Sequence, residues 1–220
     1  FAPSKAVSPG GYKLNSNMNS VKILQRITGK PDFVWFSTTG CLRKEQIGEK
    51  IAGVLNWTDS ELETWNTLYS YKNKDYYEGV YYPDKYLLPV GGSAADISKL
   101  FIDNFNQKFS PFANQALIKN IKWTTVLKIA SLIEREAGGK SDMGIISGII
   151  WNRLNSGMPL QIDATMQYTL GKKENGSWWG SVDVSEKQSD SPYNSYKYKG
   201  LPPTPICSPG VDAIEAAINP

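Results

Sequence analysis

The stretch Thr124-Thr-Val-Leu-Lys-Ile-Ala-Ser-Leu-Ile-Glu-Arg-Glu-Ala-Gly138 decides how this chain is read. On a helical wheel at about 100° per residue, Val126, Ile129, Ala130, Ile133 and Ala137 form one apolar stripe. Arg135 points directly away from that stripe, and Glu134 and Glu136 flank it at nearly equal angles. Gly138-Gly139 ends the helix. A glutamate on the border of a core has two common fates. It serves as an ordinary helix-surface carboxylate, or desolvation raises its pKa towards that of a proton donor. Periodicity prefers neither glutamate.

Composition narrows the chemistry. Apolar residues make up 40% of the 220 positions and charged residues 20%, values that suit a soluble globular chain. A net charge of +3 with no dense Lys/Arg run does not point to nucleic acid. Histidine is absent, which removes Ser–His and Cys–His nucleophile pairs and His-ligated zinc. Two cysteines, Cys41 and Cys207, are too few for a cysteine-rich metal site. They read as free, buried thiols, with one disulfide as the alternative in an oxidising compartment. No cofactor and no metal are expected. The longest apolar run, Gly144 to Trp151, falls well short of the roughly 18 residues of a membrane span. The chain opens on Phe1 and so reads as a fragment or a processed form.

Outward from the central helix, patterning predicts an α+β fold. Residues 1–20, rich in Ser, Pro, Gly and Asn, read as a flexible leader. Residues 21–72 read as a small α+β module. It holds a strand near Phe33 to Phe36, a helix from Lys44 to Leu55, and a second helix capped within Thr58-Asp59-Ser60. Residues 73–220 read as a mostly helical domain with short strands. Asp75 to Pro89 looks extended, Ser93 caps a helix bearing Ile97, Leu100, Phe101 and Phe105, and Asp142 to Asn155 forms another. The chain then turns loop-rich until a last helix from Val211 to Ile218.

Several short motifs follow one another in order. They are Glu78-Gly-Val-Tyr-Tyr-Pro-Asp84 with Tyr86, Ile129 to Ala137, Trp151-Asn-Arg-Leu154, and Gly157-Met-Pro-Leu-Gln-Ile-Asp-Ala-Thr165 with Tyr168. Ser191-Pro-Tyr-Asn-Ser-Tyr196, Gly200-Leu-Pro-Pro203 and Ile206-Cys-Ser-Pro-Gly210 complete the series. This series resembles the MltG/YceG-type endolytic murein transglycosylases over about Asp75 to Pro220. The resemblance implies a lyase that cuts the MurNAc–GlcNAc bond within peptidoglycan strands and leaves 1,6-anhydroMurNAc ends. It assigns the catalytic role to Glu136, which precedes the small Ala137, and a structural role to Glu134.

The other motif residues suit a saccharide site. Asn152, Gln161 and Asn194 offer amides for acetamido and hydroxyl groups, and Tyr168, Tyr193 and Tyr196 offer flat faces for sugar rings. Asp163 is expected to orient one of these groups or to stabilise positive charge at the anomeric carbon. Arg153, Glu78 and Asp84 are expected to be architectural. The resemblance further implies a LysM-like character for residues 21–72, a single-pass membrane anchor outside this chain with the catalytic part extracytoplasmic, and peptidoglycan strands as partner, together with the synthesis machinery that makes them. Three features depart from the family pattern. The chain stops at Asn219-Pro220, before an expected strand region with a histidine. Gly138 to Met143 is short and glycine-rich, and Glu174 to Asp190, rich in Trp, Gly and Ser, has no clear counterpart. A non-catalytic glycan-binding protein and a lysozyme-type hydrolase using Glu136 with Asp163 or Glu134 are the rival readings.

Overall fold

A computed structural model describes residues 6–68 and 77–220. The start of the leader, the boundary expected near residue 72 and Asp75 at the head of the extended stretch lie outside these residues. The elements in chain order are α1 (Ser20–Ile27), β1 (Phe33–Ser37), α2 (Lys44–Leu55), α3 (Asp59–Thr67), β2 (Lys85–Pro89) and α4 (Ala94–Ile118). α5 (Trp123–Glu136), α6 (Lys140–Asn155), α7 (Asp163–Leu170) and α8 (Val211–Ile218) follow. The fold is α+β, mostly helical with one small sheet, as the patterning predicts. None of the described helices is long and apolar enough to cross a membrane.

β1 and β2 pair antiparallel, with Phe33 opposite Pro89 and Ser37 opposite Lys85. The sheet thus draws one strand from each side of residue 72. Its buried residues Phe36, Tyr86 and Leu88 pack with Ile47 and Ile51 of α2, Trp65 of α3, and Ile97 and Phe101 of α4. Local chemistry shapes the α2–α3 hairpin. Asn56 takes the left-handed conformation (φ 54°) that ends α2, and Thr58 with Glu61 forms a capping box for α3. Gly48 lets the helices close up, since a Cβ there would lie 2.4 Å from Trp65 Cδ1. Part of the expected leader is engaged as well: Gly11 exchanges two backbone hydrogen bonds with Phe33.

α4 is longer than its Ser93 cap and first apolar positions suggest. It runs 25 residues through Pro111 and joins two apolar clusters. Ile97 and Phe101 serve the first, and Phe105, Phe109 and Ala116 serve the second. α5 is the axis of the second cluster and buries Val126, Leu127, Ile129, Leu132 and Ile133, each contributing about 2 kcal/mol. α8 packs along it through Ala213, Ile214, Ala217 and Ile218. α6 is tied to α8 by hydrogen bonds from Ser147 Oγ to Ala216 O (2.6 Å) and from Trp151 Nε1 to Ala217 O (3.0 Å).

The expectation of free thiols is corrected. Cys41 and Cys207 form a disulfide, with Cα atoms 4.7 Å apart. Both cysteines are buried, as expected, but a sequence separation of 166 hid their contact. The Leu42–Ser208 bridge aligns the two loops: Cys41 N donates to Ser208 O (2.9 Å) and Ser208 N to Leu42 O (3.0 Å). α7 also lies where only motifs and loops were expected. It has eight residues and no side-chain cap, so no start signal marks it.

Candidate active site

Glu136 is the last residue of α5 and opens onto a groove of about 250 Å³. One wall comes from α6 through Ile146, Ile149, Ile150 and Arg153, and the other from the turn Leu160-Gln161-Ile162. The side chain reaches solvent at the groove mouth and makes no hydrogen bond or ion pair with the described residues. Partial desolvation raises its pKa first, the negative charge of Asp163 adds to this, and Arg135 opposes it. Its place at a helix C-terminus works in the same direction, because the partial negative charge there disfavours a carboxylate. The groove therefore presents a carboxyl biased towards its protonated form.

Glu134 has a different setting. Its Oε2 accepts from Gly210 N (2.9 Å), which ties α5 to the loop before α8. A Cβ at Gly40 would lie 2.0 Å from Glu134 Oε1, so this carboxylate is packed against the backbone of two loops. The near-symmetry of the two glutamates on the wheel is broken by what packs on each side.

The second wall is built by the Ser191–Tyr196 motif. Gln161 sits at φ 53°, a strained region for a non-glycine residue. Its N–H donates to Ser195 O (2.9 Å), and Ile162 N donates to Ser195 Oγ (2.9 Å). Ser195, not singled out from the sequence, thus latches the turn that places Gln161 in the groove. Arg153 lines the same groove and donates to Leu160 O. Asp163, exposed at the start of α7, accepts from Lys187 Nζ (2.8 Å) and Tyr196 Oη (2.5 Å). These two partners hold its pKa below the usual carboxylate value. Lys187 lies in a segment with no family counterpart, so no motif could have marked it.

Of the seven expected contact residues Gln161 lines the groove, and the other six, Asn152, Asp163, Tyr168, Tyr193, Asn194 and Tyr196, are not in its lining. Asn152 is exposed on α6 but outside that lining. Asn194 is fully buried, and its amide is saturated. Nδ2 donates to Lys187 O (3.0 Å) and Ser189 O (2.7 Å), while Oδ1 accepts from Tyr196 N (3.0 Å) and Lys197 N (3.3 Å). The amide that looked suited to a sugar folds its own loop instead. Asn194→Ala is expected to lower stability by about 3 kcal/mol through the orphaned backbone groups, read as a drop in the urea midpoint.

Tyr168 is buried and donates to Glu78 Oε2 (3.3 Å), with the Arg43 guanidinium 4.1 Å from its ring centroid. Tyr193 lies 5.0 Å from Tyr168, ring to ring, and shares a hydrogen bond with Thr204 Oγ1 (2.7 Å). Glu78 is fully buried, and Lys44 N (3.2 Å) and Gly79 N (3.1 Å) donate to its Oε1. Asp84 accepts from Asn104 Nδ2 (3.3 Å) and Lys85 N (2.8 Å) at the head of β2.

Burial pushes the Glu78 carboxyl up to about 8, against the pull of Arg43 and the two amides. The folded state then holds this proton more tightly than the unfolded chain, whose reference value is 4.5. The associated stability is complete below pH 4.5 and is lost as pH rises through about 8. Urea unfolding of Glu78→Gln from pH 5 to 8 should accordingly show a flatter decline than the wild type, the difference staying below ~1.4 kcal/mol per pH unit.

The sequence model of the YceG-like family matches residues 2–220. The chain therefore belongs to the YceG-like family. An endolytic murein transglycosylase of Bacillus subtilis is 29% identical over 96% of this chain and 63% of its own length. An endolytic murein transglycosylase of Streptococcus pneumoniae serotype 2 is 34% identical over 64% of this chain, but only 26% of its own length. The chain thus spans about a quarter of one curated relative and under two thirds of the other. The crystal structure of a yceG-like protein from Listeria monocytogenes superposes with a TM-score of 0.74, at 24% identity, over 95% of this chain and 75% of that one. That likeness establishes the fold.

Proposed function

We propose that this chain is the catalytic part of an endolytic peptidoglycan lytic transglycosylase, with Glu136 as its acid and base. The observation that carries the reading is the placement of Glu136 at the mouth of a groove, beside apolar walls that favour its protonated form. The names of the B. subtilis and S. pneumoniae relatives support it. In the first step Glu136 protonates the glycosidic oxygen as the bond between MurNAc C1 and that oxygen breaks. The ionised carboxylate then takes the proton of the muramyl C6 hydroxyl, whose oxygen closes on C1. The acid is regenerated, and no water enters the product. Gln161 and Arg153 supply donors along the groove, Gln161 an acceptor as well, and Asp163 stays ionised near the developing positive charge.

One observation favours a second reading, a lysozyme-type hydrolase. The charge of Asp163, outside the groove lining, acts on Glu136, so a second carboxyl with separated ionisation stands within electrostatic reach of the first, the kind of pairing that paired-carboxylate glycosidases use. Mass spectrometry of digested peptidoglycan separates the outcomes. Anhydro ends support the lyase, reducing ends the hydrolase, and uncut strands a glycan-binding protein.

The buried disulfide fits an oxidising compartment, which supports an extracytoplasmic location; a single-pass anchor outside this chain remains part of the same proposal. The strand–helix–helix–strand run from β1 to β2 supports a LysM-like module ahead of the catalytic domain. Peptidoglycan strands, and the machinery that extends them, are the proposed partners.

A further inference from the structure

Arg135 immediately precedes Glu136 and is half-buried. Its guanidinium carbon lies 4.1 Å from the ring centroid of Trp179. Among the described residues it makes no ion pair and no hydrogen bond, and its Nε is buried without a partner. A guanidinium carries five N–H donors in a fixed fork, and leaving the buried Nε–H empty out of water is costly. Stacking on an indole offsets part of that cost and fills none of the donors.

The shelf beneath it is firmly built. Trp179 Nε1 donates to Gln46 Oε1 (3.0 Å) and Trp178 Nε1 to Glu49 Oε2 (3.2 Å), both on α2. Arg43 lies 4.7 Å from the Trp178 ring centroid on the other side. The segment that matched nothing in the sequence thus braces a fork of unused donors one residue from the proposed acid. Glu136 lies within electrostatic reach of Arg135 but forms no ion pair with it, so the fork is open to an incoming acceptor.

We propose that Arg135, held on the Trp179 shelf, is a subsite for a carboxylate carried by the substrate beside the cleaved bond. In a peptidoglycan strand that group is a free carboxylate of the peptide attached to muramic acid. The subsite rests on the proposed function and makes this chain prefer peptide-bearing strands to naked glycan. A planar fork binds a carboxylate bidentately, which a lysine cannot do.

The test compares uncrosslinked peptide-bearing strands with the same strands stripped by an amidase. The wild type is expected to show a kcat/KM about tenfold higher on the peptide-bearing strands. Arg135→Met and Trp179→Leu should bring that ratio close to one, and Arg135→Lys should recover little of it. The ratio is insensitive to a general loss of folding or of acid strength, which affects both substrates alike. A wild-type ratio of one, or variants that slow both substrates equally and keep the wild-type ratio, would overturn the subsite. If the wild type cuts neither strand, the transglycosylase reading fails by itself. Equilibrium binding of the two strands to Glu136→Gln then decides the subsite, with equal affinities counting against it.

Discussion

Glu136→Gln is expected to lower the rate of glycan cleavage about 10³-fold, since positioned acid–base groups contribute 10²–10⁴. That factor corresponds to about 4 kcal/mol of transition-state stabilisation. Stability should change by less than about 0.5 kcal/mol, because the side chain reaches solvent and has no hydrogen-bond partner among the described residues. Glu134→Gln should behave in the opposite sense. It weakens the hydrogen bond from Gly210 N and costs about 1 kcal/mol of stability, with cleavage falling by less than tenfold. Digests analysed for anhydro ends, alongside thermal melts of both variants, check the pair. Equal losses of activity would remove the assignment of the acid to position 136.

The pH dependence follows from the same site. The acid must carry its proton, so activity falls as pH rises through the raised pKa of Glu136. Part of that rise comes from Asp163. Asp163→Asn should therefore move the basic limb of the kcat/KM profile to lower pH. A limb that stays in place would mean that Asp163 does not act on the proton.

Removing the disulfide is expected to cost about 5 kcal/mol at the chain-entropy limit for so long a loop, with the bond closing a 166-residue separation. For a chain of this size that is roughly a 10–20 °C fall in Tm. The bond joins the loop before α2 to the loop before α8, and both loops pack on Glu134 through Gly40 and Gly210. The Cys41→Ala/Cys207→Ala variant, with unfolding followed in urea, checks this. A midpoint equal to that of the oxidised wild type would show that the Leu42–Ser208 bridge and the surrounding core suffice to hold the loops together.

The apolar stripe of α5, the Ser93 and Thr58 caps and the strand at Phe33 were legible because each depends on neighbours within a few residues. The ordered motifs led to the family for a similar reason, since their spacing is a property of the chain itself. Asn194 shows where that reading stops. Its residue type suited a sugar equally well, and only the packed loop reveals that four backbone groups already occupy its amide. Tyr168 likewise looked like a platform for a ring, yet it is buried against Glu78 and Arg43.

The sequence by itself determined the helix that carries Glu136, the mostly helical α+β class and the YceG-like membership. Hydrophobic period, caps and motif order are local quantities written along the chain. Tertiary structure alone decided which glutamate opens onto the groove, that Cys41 meets Cys207, and that Ser195 latches the Gln161 turn. Each of these joins residues more than 30 positions apart or depends on what packs against a side chain, and burial, pairing and desolvation exist only once distant segments have come together.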